Sequence, residues 1–145
     1  MPDKDVTLGG NGLKTQAPGT YLLPDLTSTG YDADSSATAY TYGSWVEAIA
    51  SVSEDLYVLA VLIDGTSVVD GQLQIGVGAG AAEVVQATLG FYSLDASSRE
   101  TFTFPFPVPI ASGVRLALRV ADEDAAARDW DVWLLCIAQS DLVSI

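Results

Sequence analysis

The sequence predicts an all-β protein, an antiparallel and jelly-roll-like β-sandwich of about eight strands. Three observations carry this expectation. Short apolar segments recur at roughly 8–12-residue spacing with Gly, Pro, Asp or Ser between them, the rhythm of a sandwich or barrel. Residues 114–120 (VRLALRV) alternate cleanly, as a half-buried strand does. No segment holds a sustained helical period. The alanine-rich stretch 79–87 is flanked by glycines and contains the β-branched pair Val84-Val85, which favours strand over helix.

Residues 1–18 are polar and glycine-rich, which predicts a flexible or partner-ordered arm ahead of one β-sandwich domain over 19–145. Residues 19–23 read as a short strand stopped by Pro24, and 25–41 as a long loop of Ser, Thr, Asp and Gly. In 43–51 (GSWVEAIAS), Trp45, Glu47 and Ile49 fall on one face. Residues 55–63 are apolar on both faces, like a strand covered on both sides. Asp64-Gly65 signals a hairpin turn. Strands at 72–78 and 82–93 follow, joined by the turn GAGAA.

In 101–110 (TFTFPFPVPI), Phe102, Phe104 and Phe106 share a face. Prolines 105, 107 and 109 cannot donate to a ladder, so this segment is an edge strand or leaves the sheet midway. After the strand at 114–120, the polar loop 122–129 leads to 130–138. There Trp130, Val132, Leu134 and Cys136 face one way, and Trp133, Leu135 and Ile137 the other. Strands apolar on both sides need cover on both sides, which predicts burial between subunits of a homo-oligomer.

Composition then limits function. The 145 residues carry 19 acids, 6 bases, no histidine and a formal charge of −13. Six basic residues cannot build the patch that nucleic acid requires, and anionic lipid would repel this surface. No apolar run reaches the roughly 18–20 residues of a membrane helix. The lack of histidine removes the Ser-His-Asp arrangement and histidine-ligated metals, and a single cysteine removes internal disulfides. Cys136 reads as a small core hydrophobe. The run 76–80 (GVGAG) lacks the following Lys of a phosphate loop and reads as a turn.

Two ligand classes stay open, and the residues point to no enzyme. Glu47, Glu83 and Glu100 have no spacing that links them as a glycosidase pair. For a structural calcium ion, Asp122, Asp124 and Asp129 on the last loop are the candidates, with Asp32 and Asp34 in YDADSS as further acids, although neither loop has the EF-hand pattern. No other cofactor is expected. For a glycan, Trp45, Trp130 and Trp133 are the stacking candidates, with Tyr40, Tyr42, Tyr57 and Tyr92 as further available rings. Trp130 and Trp133 have opposite parity, so one of them is expected on an exposed face or an interface. Arg115 and Arg119, four apart on one strand face, are expected to meet carboxylates of a neighbouring strand or subunit, as interface ion pairs.

Three stretches, GSWVEAIAS (43–51), LQIGVGAGAAEVV (73–85) and FPFPVPIASGVRLALRV (104–120), occur in an order that resembles a β-sandwich module of tailed-bacteriophage and prophage structural proteins. Gly43, Trp45 and Glu47 match the first element; Gly76, Gly78 and Glu83 match the second, with GAGAAE departing from the usual spelling. Pro105, Phe106, Pro107, Ile110, Gly113, Arg115, Leu116, Ala117 and Arg119 match the third. The resemblance implies a virion location, as a capsid-decoration, head-fibre or tail component. It implies assembly as a homo-oligomer, a trimer by preference, with other virion proteins as partners and no catalytic residues. The alternative from the residues is a lectin-like module that binds a host glycan, and a glycan-active enzyme is the residual reading.

Overall fold

The computed structural model describes residues 19–25, 27–65, 69–92 and 99–143. The arm expected over 1–18 lies outside the described residues. Nine strands form two antiparallel sheets around one core. The strands are β1 (Thr20–Leu23), β2 (Tyr31–Asp34), β3 (Val46–Ile49), β4 (Leu56–Gly65), β5 (Gly71–Val77), β6 (Val84–Phe91), β7 (Arg99–Ile110), β8 (Leu116–Asp122) and β9 (Asp129–Ala138), followed by a short helix α1 (Gln139–Val143). In the five-stranded sheet β9 pairs with β1, β2 and β4, and β7 lies beyond β4 at the edge. The four-stranded sheet runs β3-β8-β5-β6. Every connection from β2 onward crosses between the sheets except the β5–β6 hairpin, which is the alternation expected of a jelly-roll-like sandwich.

The core is the inward row of each strand. Leu73 and Ile75 on β5 and Leu116, Leu118 and Val120 on β8 face Val58, Val61, Ile63, Val132 and Leu134 across the sandwich, all fully buried. Trp130 fills one end, edge-on to Phe91 at 5.0 Å. Its ring lies where any side chain at Gly65, its cross-strand partner, would sit.

Irregularities set which residues leave the core. Leu59 is an extra residue in β4 and switches that strand's phase, so Leu56 and Val58 point inward before it and Val61 and Ile63 after it. On β7 the ladder jumps from Val108 to Thr103 across the same bulge. The proline-bearing residues 104–107 therefore have no partners in β4, and the strand is both an edge and locally out of the ladder. Phe102 and Phe104 stay buried, but Phe106 is 77% exposed instead of sharing their environment. A register shift on β3 likewise turns Ile49 inward, away from the face of Trp45 and Glu47.

Two local expectations fail. Asp64-Gly65 is not a turn, because both residues pair with β9. The loop expected over 25–41 contains β2, whose short polar YDAD sequence hides a strand that one buried residue, Ala33, anchors.

Candidate ligand-binding face

The outward side of the four-stranded sheet is built in cross-strand rows. Arg119 on β8 stands opposite Gln74 on β5, which stands opposite Thr88 on β6. Arg119 Nε donates to Gln74 Oε1 (2.9 Å), and Gln74 Nε2 donates to Thr88 Oγ1 (3.2 Å). One row along, Gln72 accepts a 2.8 Å bond from the Tyr42 hydroxyl. On the other side of the Arg119–Gln74 row, the small residues Ala117 and Gly76 pair.

Trp45 occupies the space that those small residues leave. A Cβ on Gly76 would stand 2.6 Å from Trp45 Cη2, so the ring sits directly against the bare strand. The guanidinium of Arg119 lies 4.4 Å from the Trp45 ring centre and 4.6 Å from that of Tyr42. All three side chains are half-buried. Burial raises the Tyr42 hydroxyl above its ordinary pKa, with the Arg119 charge opposing the shift, so Tyr42 stays a neutral donor.

Arg115, at the other end of the face, is an intramolecular clamp. Its Nε donates to Glu47 on β3 (2.8 Å), and Nη1 to Glu83 (2.9 Å), whose side chain is 2% exposed. Glu83 also accepts from the backbone N–H of Ala81, and so fixes the turn that Gly78, at φ +118, makes possible. Both glutamates pair with the same guanidinium, Glu47 from β3 and Glu83 from the turn before β6. The arginines expected to form interface pairs thus find their partners inside the chain. Arg115 meets neighbouring-strand carboxylates, and Arg119 meets rings and an amide.

The three tryptophans do not form one platform. Trp130 is in the core, where its Nε1 donates to the buried Asp122 (2.9 Å). Trp133 points to the other side of β9 yet is only 2% exposed, with Arg99 stacked 4.0 Å over its ring and Nε1 without a partner. Opposite parity therefore leaves neither ring available to a ligand, and only Trp45 offers one. Tyr42, one of the further rings that the sequence offers, does join the face, whereas the two glutamines escaped the sequence reading. Their signal, a glutamine at each outward position of QLQ, is a weak one.

The acids also regroup. Asp122 accepts bonds from Trp130 and the Asp124 backbone N–H, and Asp124 is bound to Arg128 at 2.6 Å. Asp129 leaves that trio and joins Asp32 and Asp34 across the β2–β9 ladder, with carboxylate oxygens within 4.8 Å of one another. Among the described residues these three are the acidic group able to surround a cation. Burial, a hydrogen bond with Asp129 and the charge of Asp32 together raise the Asp34 carboxyl above its ordinary range.

No protein-family model and no curated protein sequence matches the chain. Among solved structures it is similar to a carbohydrate-binding module of Cellvibrio mixtus lichenase 5A in complex with cellotriose, at 12% identity and a TM-score of 0.45, covering 83% of this chain and 97% of that one. A second is the C-terminal module of LamC from Zobellia galactanivorans, at 10% identity and 0.43, covering 81% and 97%. A third is an infectious bursal disease virus chain, at 12% and 0.40, covering 83% of this chain and 32% of that one. Likeness at these levels decides nothing about function, and the sandwich assignment rests on the strand pairing itself.

Proposed function

We propose that this chain is a non-catalytic carbohydrate-binding β-sandwich module whose sugar face is the outward side of the four-stranded sheet. One observation carries the reading. Trp45 packs directly against a glycine-bared strand beside Tyr42 and Arg119, with Gln72, Gln74 and Thr88 in the adjoining rows. An aromatic face takes the C–H face of a pyranose, and planar amides and hydroxyls take its equatorial O–H groups. Tyr40, Asp70, Gly71 and Gln72 line a cleft of about 220 Å³ that extends the face at one end.

A glycan array followed by titration calorimetry tests it. Trp45→Ala should weaken binding by about tenfold or more, equivalent to about 1.4 kcal/mol, with the fold intact by circular dichroism. Absence of binding to every glycan by the wild-type protein would sink the proposal.

A second reading, a virion structural protein acting through homo-oligomeric assembly, is favoured by the β6 edge. That strand has no charged or proline residue, and its start exposes Val84 (62%) and Val85 (40%) in a strongly acidic chain. Such an edge invites pairing with another copy. Light scattering coupled to size exclusion separates the readings: an oligomer that Val85→Lys converts to monomer supports assembly, and a 15.2 kDa monomer throughout removes it.

A further inference from the structure

We infer that the glycan held by this face carries a carboxylate, as a uronic or sialic acid residue does, and that Arg119 receives it. The inference rests on the carbohydrate-binding reading above and narrows its ligand class. Of the guanidiniums on the face, Arg115 is neutralised by Glu47 and Glu83, whereas Arg119 forms no ion pair among the described residues. Among the described residues its one side-chain hydrogen bond is from Nε to Gln74, and the four N–H groups of Nη1 and Nη2 have no acceptor there. The rings of Tyr42 and Trp45 pack over the guanidinium and fix its plane, and Gln74 fixes its rotation about the strand.

What the described residues leave without an acceptor is the Nη edge, a planar fork matched to the two oxygens of a carboxylate. Lysine would supply charge without that geometry. Partial burial beside two rings strengthens the pairing, because solvent screens it less there than on an open surface. The chain as a whole carries −13 and repels a polyanion. The fitting ligand is therefore a mostly neutral glycan with an isolated acidic sugar, not a polyuronate.

The test compares ligands that differ only in that group. Calorimetry would be run with a glucuronic-acid-bearing xylo-oligosaccharide against its carboxyl-reduced form, and with sialyllactose against lactose. At least one acidic member should bind about tenfold more tightly than its neutral counterpart, the discrimination expected of a charge-assisted bidentate pair. Which pair shows the preference separates uronic from sialic acid. The preference should shrink with added NaCl and collapse in Arg119→Gln and in Arg119→Lys. The ligand comparison and the salt series need no variant, so misfolding of either substitution leaves the test standing. Equal or tighter binding of both neutral forms overturns the inference and leaves the glycan reading intact. Absence of binding to all four, with no hit on the array, overturns both.

Discussion

At the scale of single residues, two contacts decide how this sequence is used. Asp122 is almost fully buried, and it accepts the indole N–H of Trp130 at 2.9 Å. Removing the acceptor strands a buried donor in the end of the core that Trp130 fills. Asp122→Ala should therefore lower stability by about 1–3 kcal/mol, while Asp122→Asn, which keeps a carbonyl oxygen, should lose less. Urea denaturation of the two variants checks the order. Gly76 makes the second contact. An added methyl would stand 2.6 Å from the Trp45 ring and push it off the strand. Gly76→Ala should weaken glycan binding with Trp45 still present, at a stability cost of about 1 kcal/mol because the ring has solvent to move into. Calorimetry and thermal melting on the same sample separate the two effects.

At the scale of elements, strand parity was legible and its interruptions were not. The inward rows Val114–Val120 and Trp130–Cys136 follow from alternation alone, as does the edge position of β7 from its prolines. The bulge at Leu59 has no local signature, yet it sets the phase of β4 and helps expel Phe106. Cross-strand neighbours are equally invisible in one dimension. YDAD reads as part of a long loop and RDWD as the junction of a loop and the last strand, but pairing of β2 with β9 aligns Asp32 with Asp131 and Asp34 with Asp129. Across β4 the row continues to Asp64, and on β7 to Arg99. Burial raises the Asp131 carboxyl, followed by the charges of Asp32, Asp64 and Asp129, with Arg99 opposing. A carboxyl that holds its proton more tightly folded than unfolded loses stability as pH rises through the carboxylate range. Asp131→Asn should therefore be more stable than wild type at pH 7, by less than about 1 kcal/mol given solvent screening. The difference should vanish below about pH 4, where the unfolded aspartate is also protonated. Melting curves of both proteins across that range test the sign.

At the scale of the whole molecule, β9 binds the structure together, because it pairs with three other strands and carries Cys136 near its C-terminal end, between β1 and β4. The thiol is wholly buried, and desolvation pushes its pKa up to about 12 from an ordinary value near 9.0. Tyr21 and Tyr31 are also raised, each mainly by burial and further by the nearby Cys136. Here the unfolded chain releases protons that the folded chain keeps, so stability should hold up to about pH 9 and decline from there toward pH 12. Cys136→Ala removes the thiol's share, so the gap in urea midpoint between the variant and wild type should shift in the variant's favour between pH 7.5 and 10.5. The same burial makes the thiol a reporter of cooperativity. A thiolate needs water, and no fraying of α1 or of the β6 edge exposes residue 136, so a disulfide reagent should label it only through global opening, with the labelling free energy matching that from urea denaturation. Fast labelling of the native protein would mean that β9 parts from its neighbours locally, and the two sheets would then no longer act as one cooperative unit.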